Sequence, residues 1–363
     1  MLSGNPKGYG RIIMEKEQLN QLLQQLKKQQ KKLRPYFSGQ NTDCYRIIDG
    51  NVDGMPLQID RYGDSLHISI SETKEGTGEI FSENDIAQIA GALYIQKEKV
   101  VIKTREKLQE HQQYTTLNDK NHISTVHENG LNFRVNLLDY IDTGLFLDHR
   151  KTRQMVREEC FGKSVLNLFS YTGSFSVYAA SGGAAEITTV DLSSTYLEWA
   201  KENFKINDFL PGTFEFIQSD VSPFLIKAKE NHRKWDLIIL DPPTFSNSRK
   251  MDDVWDIQKD HYDMIELCST LLRKDGVILF STNYRQFSLE SFRLTRNHDV
   301  KEITSQTRDE DFGKKKGHRC WRISRQKEGQ LNSSKHSQAG GRKKPSSGRN
   351  KRPSSGSQRK TRG

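Results

Sequence analysis

The part of this sequence with the clearest chemical potential is an apolar run that ends in Asp241-Pro242-Pro243-Thr244-Phe245. The run Leu237–Leu240 has the character of a buried parallel strand, and two prolines make the following loop stiff and extended. Such a loop presents backbone carbonyls, a carboxylate and an aromatic ring together, a geometry that can hold a flat base flipped out of a nucleic acid. A rigid turn could use the same residues, but we favour a site that holds the base to be modified, called the acceptor site below. Its predicted members are Asp241, Pro242, Pro243 and Phe245.

A second group of polar residues begins where an earlier predicted strand runs into a helix, within Asn167-Leu168-Phe169-Ser170-Tyr171-Thr172-Gly173-Ser174. A ligand bound at such a junction needs a tight turn, close approach of the backbone and helix N–H groups that face it. Gly173 can supply the turn, while Ser170 and Thr172 can form hydrogen bonds. One glycine is weak support by itself, so the interpretation depends on the acids at the next two strand ends.

Two aspartates follow the next two predicted strands. Asp191 stands about twenty residues after the glycine turn, where a carboxylate suits the binding of ribose hydroxyls. It could equally cap the following helix. Asp220 could accept a hydrogen bond from an adenine amino group, although by itself it is better interpreted as a turn aspartate. The order of glycine turn, acid, acid and Asp-Pro-Pro favours a methyltransferase over a nicotinamide dehydrogenase, whose first loop usually has several glycines.

These residues need a scaffold that gathers strand ends, and the sequence from Lys163 onward predicts one. Strands alternate with helices at the spacing of a parallel sheet that is covered on both faces. In a doubly wound sheet, ligands bind beyond the carboxyl ends of the strands, where the strand order reverses. The predicted fold class is α/β, a Rossmann-like class I methyltransferase fold. The predicted strands are Ser164–Phe169, Glu186–Val190, Thr213–Gln218, Asp236–Leu240 and Gly276–Ser281, and the helices are Ser174–Ser181, Ser194–Asn207, Pro223–Asn231 and Gln258–Leu272.

Four segments follow from the same patterns. Residues 1–42 predict a basic amphipathic helix with a linker, because leucines from Leu19 to Leu33 share one helical face. Residues 43–142 predict a small α+β domain of short strands that ends in a hairpin turning at Asn129-Gly130. The Rossmann-like domain is predicted at residues 143–325. Residues 326–363 are rich in Ser, Gly, Lys and Arg and predict a disordered tail.

Charge is distributed unevenly along the 363 residues, whose formal net charge is +10. Residues 326–363 contain 11 basic residues and one acid, and residues 1–36 contain 8 basic residues and 2 acids. The body between them is therefore mildly acidic. Basic ends on an acidic body indicate a polyanionic partner, although a basic tail can also serve solubility alone. The N-terminal helix could dock on the body or lie along phosphates, and only the enzymatic motifs favour RNA as the partner of both ends.

The four cysteines are scattered without a Cys-x-x-Cys pair. This pattern argues against a disulfide framework and against a zinc site, and we predict no bound metal. We see no long apolar run and no charged-then-apolar leader, so the sequence supports neither membrane insertion nor secretion. We expect a monomer in the cytoplasm.

Several motifs together resemble one family. They are Tyr140–Arg150, which contains Asp148-His149-Arg150, the Asn167–Ser174 loop, Asp191, Thr195–Ala200 and Asp241–Ser248. All are similar to the K half of the bifunctional bacterial 23S rRNA guanine methyltransferase K/L. The resemblance covers roughly residues 26–325.

The resemblance implies S-adenosylmethionine as the cofactor and guanine N7 of 23S rRNA, free or in a large-subunit assembly intermediate, as the acceptor. It also implies that Asp148 and Arg150 line the cofactor site, with Arg150 near the methionine carboxylate. A helix cap and a surface arginine are equally good interpretations of these two residues, and His149 is better interpreted as structural. The fused enzyme has a THUMP domain and a second methyltransferase, for which this chain has no room. The basic ends are the candidate replacement.

Guanine N7 has an exposed lone pair and no proton to lose, so its methylation requires positioning rather than a strong base. Methylation of a pyrimidine ring carbon needs a cysteine nucleophile, and none of the four cysteines lies at the end of the fourth or fifth strand. An exocyclic amine remains an alternative acceptor, because Asp241 and the proline carbonyls could accept its protons. A catalytically inactive RNA-binding assembly factor is the non-enzymatic alternative. A small-molecule methyltransferase would not need basic ends.

Overall fold

The computed structural model describes residues 14–50, 57–71, 81–105, 123–140, 142–209, 214–246, 255–313 and 317–326. The first 13 residues, the tail beyond Gln326 and the Asn247-Ser248 end of the proline loop lie outside these ranges. By its contacts the chain divides into one unit, Met1–Arg325, and a second, Gln326–Gly363. Among the described residues, no helix combines the length and apolar character needed to cross a membrane.

The first part of the chain forms a four-stranded sheet with a long helix packed on it. The strand order is β1-β2-β3-β4, antiparallel except for the β3–β4 pair. The apolar face of the helix, predicted from its leucine spacing, shares one buried cluster with the isoleucines of the sheet. The helix continues a turn beyond the predicted stretch, through Pro35. The elements are α1 (Lys16–Ser38), β1 (Cys44–Asp49), β2 (Leu57–Tyr62), β3 (Ser65–Ser71), α2 (Glu83–Ala92) and β4 (Val100–Arg105), with a 3-10 turn at Lys97–Lys99.

A hairpin and a helix connect this sheet to the second one. The hairpin consists of β5 (Ile123–Glu128) and β6 (Leu131–Asn136), and it turns at the predicted place. A 3-10 turn, Leu147–His149, then leads into α3 (Arg150–Glu159). Apolar side chains of the hairpin belong to the same buried cluster as strands of the second sheet. The hairpin therefore packs with the Rossmann-like part of the protein.

Alternating strands and helices make up the rest. They are β7 (Ser164–Leu168), α4 (Ser174–Ser181), β8 (Glu186–Asp191), α5 (Ser194–Lys205), β9 (Phe214–Gln218), α6 (Val221–Glu230), β10 (Trp235–Leu240), β11 (Phe245–Ser246), β12 (Trp255–Asp256), α7 (Ile257–Thr270), β13 (Leu272–Thr282), α8 (Ser291–Leu294), β14 (His298–Glu302) and β15 (Arg319–Arg325). The predicted strands and helices are all present, and their ends differ by a few residues at most.

The seven-stranded sheet has the order β14-β15-β13-β10-β7-β8-β9. The five strands from β13 to β9 pair in parallel, while β15 is antiparallel to both of its neighbours. Successive residues of β10 belong to two different buried clusters, Leu237 and Ile239 to one and Ile238 and Leu240 to the other. The sheet is therefore covered on both faces, which explains the unbroken apolar run. The predicted Rossmann-like α/β class is confirmed, and the strand order reverses between β7 and β10.

Candidate functional site

The loop after β7 leaves the sheet in an unusual backbone conformation. Phe169, Tyr171 and Gly173 all have left-handed φ values, of 53°, 51° and 71°. Non-glycine residues adopt this region at a cost, and such residues concentrate at functional sites. A Cβ on Gly173 would lie 2.7 Å from the Cβ of Ala200 on α5. Gly173 is therefore required both by its backbone conformation and by the close packing of α5.

The polar side chains of this loop fall into two groups. Thr172 donates from Oγ1 to the carbonyl of Gly144 at 2.6 Å, and Asn167 donates to Ser176 at 2.9 Å. Both side chains are buried, and these bonds fix the shape of the loop. The Ser170 hydroxyl is also buried, but within the described residues it has no hydrogen-bond partner. The Tyr171 hydroxyl of the same loop is also buried without a hydrogen-bond partner in the described part of the chain. A buried polar atom without a partner is costly, so Ser170 and Tyr171 are the members of this loop best placed to bind a ligand.

Asp191 ends β8 beside this loop, and it is 8% exposed. Its Oδ2 accepts from the Tyr171 N–H at 2.8 Å, and its Oδ1 accepts from the Ser193 N–H at 2.9 Å. Burial raises the pKa of Asp191 to about 6, although three backbone N–H groups favour the ionised form. Each carboxylate oxygen keeps a second lone pair, so Asp191 can organise the loop and still accept from a ligand hydroxyl.

Asp220 has a simpler place in the structure. It is the N-cap of α6, and its side chain accepts from the Ser222 N–H at 3.2 Å. This is the helix-terminal role that the sequence left open beside adenine binding. The capping bond uses one oxygen of the carboxylate, and the residue is only partly buried.

Arg150, which the resemblance places near the methionine carboxylate, is surrounded by protein groups in the structure. Its side chain is 1% exposed, and its guanidinium donates to Asp309 and Asp311 and to the carbonyl of Cys44. It also stacks over the ring of Phe37 on α1. Every one of these contacts joins α3 to other parts of the protein. Arg150 is thus an internal tie, and this role accounts for its burial without a cofactor.

The loop after β10 contains the predicted acceptor site. Asp241 Oδ1 accepts from the Ser281 hydroxyl at 2.6 Å, and Asp241 Oδ2 lies 3.4 Å from His149 Nε2. The Asp241 side chain is 25% exposed, and burial raises its pKa. Pro242 and Pro243 follow directly, and the carbonyl of Pro243 accepts from the indole N–H of Trp255 at 2.8 Å.

Phe245 is 45% exposed and meets Tyr284 edge to face, with ring centroids 6.1 Å apart. Thr244 donates to the Asn283 side chain at 3.2 Å. The loops after β10 and β13 thus run side by side, since Leu240 pairs with Phe280. The loop after β13 was not among the sites predicted from the sequence. The parallel pairing of these strands was the signal that could have revealed Ser281, Asn283 and Tyr284.

His318, directly before β15, was also missed. Its ring stacks on His149 with centroids 3.8 Å apart and planes 14° apart. Asp148, His149 and His318 bring ligand-type atoms within 4.8 Å of one another, a spacing that a metal ion could use. Imidazole lone pairs lie in the ring plane, however, and an ion between stacked parallel rings would lie outside both planes. The geometry of this group therefore suits hydrogen bonding better than metal binding.

Parallel pairing brings these groups to one edge of the sheet. Leu168 pairs with Leu240 on one side and with Val190 on the other, so the loops that follow β7, β10 and β8 are neighbours. The edge has a strained loop, two partly buried acids and an aromatic ring, at the point where the strand order reverses. This is where doubly wound proteins bind their ligands.

Comparison with known proteins identifies the family. Residues 88–289 match the model of the S-adenosylmethionine-dependent methyltransferases. The ribosomal RNA large subunit methyltransferase K of Neisseria meningitidis serogroup B is 42% identical over 81% of this chain and 84% of its own length. The chain belongs to the S-adenosylmethionine-dependent methyltransferases. Its cofactor is therefore S-adenosylmethionine, as predicted.

Two further relatives define how far the likeness extends. The methyltransferase K/L of Pseudoalteromonas atlantica is 41% identical over 83% of this chain. The chain spans only 43% of that relative. The crystal structure of a protein assigned as a methyltransferase, complexed with SAH, superposes with a TM-score of 0.66 at 25% identity, covering 84% of this chain and 81% of that protein. The methyltransferase fold and its cofactor class thus rest on sequence and structure together.

The residues at the sheet edge fit this cofactor. The left-handed turn at Gly173 keeps side chains away from the ligand, and the open Ser170 hydroxyl can bond to a polar group of the cofactor. Asp191 stands at the strand end where a ribose is held in doubly wound folds. Asp241 and Phe245 lie after the neighbouring strand, at the same edge of the sheet.

Proposed function

We propose that this methyltransferase modifies large-subunit ribosomal RNA and that its acceptor is guanine N7 in 23S rRNA. The proposal rests on the 42% identity with the Neisseria relative, and this identity extends over most of both chains. That relative is named a ribosomal RNA large subunit methyltransferase K. The basic ends of the chain add independent support, since RNA binding depends on phosphate contacts. An rRNA substrate also supports a cytoplasmic location.

S-adenosylmethionine supplies an electrophilic methyl group, and the protein holds the cofactor and the acceptor base in the correct relative position. Ser170 and Asp191 hold the cofactor after β7 and β8. Phe245, which is exposed on one side and supported by Tyr284 on the other, stacks against the acceptor base. Pro242 and Pro243 fix the path of the loop. Holding the two reactants in line in this way lowers the barrier without a general base.

The charge of Asp241 suits an N7 acceptor. The Ser281 hydroxyl donates to one oxygen of Asp241, and the carbonyl of Pro243 accepts from Trp255. Both groups keep further lone pairs, so an exocyclic amine stays open as the alternative acceptor. N7 has no proton to give, and its methylation leaves a positive charge on the base. An ionised carboxylate nearby stabilises that charge, which is a role that Asp241 can perform with its oxygens engaged.

The RNA contacts that we propose lie on α1 and in the tail. On α1, exposed basic residues occur on the side away from the sheet, with the apolar face buried. The tail lies outside the described residues, so its part in RNA binding rests on its composition. We propose that a monomer recognises 23S rRNA or a large-subunit assembly intermediate. The exposed basic residues of α1 are Lys16, Lys27, Lys28, Lys31, Lys32 and Arg34.

The acceptor atom can be tested directly. Wild-type protein, radiolabelled S-adenosylmethionine and 23S rRNA should give methyl incorporation, and borohydride followed by aniline should then cleave the RNA at one guanosine. This cleavage depends on the positive charge that N7 methylation places on the ring. Incorporation without cleavage would assign the exocyclic amine. Cofactor binding without incorporation into any rRNA would favour the inactive assembly factor.

The role of Phe245 has a test of its own. Phe245→Ala should slow single-turnover methyl transfer by about 10-fold to 100-fold, because base stacking on an aromatic ring contributes roughly 1–3 kcal/mol. Cofactor affinity, measured by calorimetry, should not change. Phe292→Ala is the matched control, since Phe292 is a strongly exposed ring on α8 outside the site. Equal rates for the wild type and Phe245→Ala would remove this ring from the acceptor site.

A further inference from the structure

The carboxylate of Asp241 is held from two sides by residues that are distant in the sequence. Ser281, at the end of β13, donates its hydroxyl to Oδ1 at 2.6 Å. His149, just before α3, places Nε2 3.4 Å from Oδ2. We propose that Ser281 and His149 are positioning residues that fix the orientation and the charge of Asp241. This inference rests on the proposed function, because it assigns a purpose to the site proposed there.

Ser281 is placed by the sheet itself. It is 2% exposed and follows Phe280, the residue that pairs with Leu240. The parallel register therefore sets the serine beside Asp241 at the ends of adjacent strands. A hydroxyl bonded at 2.6 Å to a carboxylate is a short, charge-assisted hydrogen bond. It leaves the carboxylate little freedom to rotate about its last torsion.

His149 is held by the rings around it. His318 stacks on one face at 3.8 Å, and the edge of Phe175 approaches at 5.5 Å with a 74° angle between the planes. His318 is fixed in turn, because its Nε2 lies 2.9 Å from the Thr152 hydroxyl and its backbone N–H donates to Asp148 at 3.1 Å. The His149 ring thus has one available orientation, with Nε2 towards Asp241. The 3.4 Å contact is long, as such contacts often are before a substrate binds.

His149 and His318 can position Asp241 while both imidazole rings are neutral. Burial lowers the pKa of His149 to about 4, and burial together with His149 also lowers the pKa of His318. A neutral His149 with its proton on Nε2 directs that N–H towards Asp241 and leaves Nδ1 without a proton; this tautomer is assigned from the contact. The other titratable and charged groups that face Asp241 are His318 and Arg153, which oppose its protonation, and Asp148, which favours it.

The consequence concerns the charge of Asp241 during the reaction. Burial raises the pKa of Asp241, and the hydrogen bond from Ser281 counters this by stabilising the carboxylate. We infer that an N–H on His149 Nε2, 3.4 Å from Oδ2, adds to this effect. A carboxylate that stays ionised and correctly oriented stabilises the positive charge that forms on the base. Loss of either donor should therefore both misplace the carboxylate and make it easier to protonate.

Ser281→Ala is the principal test, since it removes the hydroxyl with little change in volume. The pKa of Asp241 should rise by about one unit, the scale of a hydrogen bond to a charged group. The single-turnover rate at saturating cofactor should fall about tenfold, a typical cost of lost positioning. The acidic limb of the rate profile should move to higher pH. Ser281→Thr, which keeps the hydroxyl, should restore the profile.

His149→Met and His149→Gln form a second pair. The methionine removes the donor and should shift the acidic limb in the same direction, whereas glutamine places an N–H near the lost Nε2 and should recover most of the rate. Ser288→Ala, on an exposed serine beyond β13, is the control and should match the wild type in rate and pH profile.

A measurement that needs no activity separates this inference from the proposed function. The carbon resonance of Asp241 in the full chain, assigned with Asp241→Asn, reports its pKa in each variant. An unchanged pKa and an unchanged pH profile in both Ser281→Ala and His149→Met would overturn the inference, even if the wild type methylates RNA. If the pKa of Asp241 shifts in these variants but the wild type methylates no RNA, the positioning of Asp241 by Ser281 and His149 is supported and the proposed function is contradicted.

Discussion

Two buried charged residues of this protein, Asp191 and Arg150, differ in the groups to which they are hydrogen-bonded. Asp191 and Arg150 are both almost fully buried, and both come from motifs that a sequence search would assign to the cofactor. Asp191 is bonded to the loops of the binding edge, whereas Arg150 is bonded to other charges and to α1. The partners of a buried charge therefore distinguish ligand binding from structural support better than its motif does.

For Asp191, we expect the affinity for S-adenosylmethionine to rise with pH through about 6, where its carboxylate ionises and becomes a stronger acceptor for ribose hydroxyls. Asp191→Ala should weaken binding by about 1–3 kcal/mol at pH 7.5, the scale of leaving polar partners unpaired. Calorimetry at several pH values measures both effects. Asp220→Ala is the comparison, because its bond to Ser222 is a helix cap. A folded Asp191→Ala with wild-type affinity would exclude Asp191 from the cofactor site.

The same carboxylate has the opposite effect on the protein without cofactor. Its pKa is higher in the folded state than the usual 3.8. Its contribution to stability is then complete below pH 4 and is lost as the pH rises through about 6. Cofactor binding should therefore raise the melting temperature more at pH 7.5 than at pH 5.

Arg150→Met should lower the free energy of unfolding by about 3–5 kcal/mol, because it leaves Asp309 and Asp311 buried without their cation. Denaturant unfolding gives this value. Under conditions where the variant is folded, its cofactor affinity should equal that of the wild type. Arg34→Met, on the exposed face of α1, is the control. A loss of cofactor affinity without a loss of stability would instead support the methionine-carboxylate role that the family resemblance implies.

At the scale of single elements, one position in the loop after β7 requires glycine for two separate reasons, its backbone conformation and its close packing. Gly173 has a left-handed φ and also touches Ala200. Gly162 has a nearly equal φ of 68°, with nothing within 4 Å of an added Cβ. The two positions thus allow backbone strain and packing to be separated.

Gly162→Ala should cost only about 1 kcal/mol of stability, the penalty of a left-handed alanine. Gly173→Ala should cost more, by a further 1–3 kcal/mol or so, because the new methyl group displaces α5 or the loop. Gly173→Ala should also weaken cofactor binding, while Gly162→Ala should not. Thermal melts with and without S-adenosylmethionine give both quantities. Equal losses in the two variants would show that contact with Ala200 is unimportant.

The sequence predicted elements well and long-range contacts poorly. Apolar periodicity decided the strands, and β10 was recognised because both of its faces are buried. The roles of His318 and Ser281 were not accessible, because they meet their partners across 170 and 40 residues of chain and neither stands in a recognisable motif. Arg150 was ambiguous for the same reason. Its acids, Asp309 and Asp311, are separated from it by most of the second sheet.

Over the whole molecule, charge is divided between a mildly acidic body and basic ends. A chain that stops at Arg325 should fold and bind cofactor like the full protein, because the described core ends there. Its RNA affinity should be lower, and its log–log salt slope should be smaller by about 0.7–0.9 for every phosphate that the tail neutralises in the full protein. Filter binding at several salt concentrations measures the slope. If the slopes of the two proteins coincide, the tail neutralises no phosphates.

The position of β15 also sets when this protein can become active. The last strand among the described residues is inserted between β13 and β14, and His318, directly before it, stacks on His149. During synthesis, the ribosome has already made the cofactor loop and the proline loop when this strand is still missing. A nascent chain can therefore assemble its early strands but lacks the last support of Asp241. We therefore expect methyl transfer only from chains whose synthesis has passed β15.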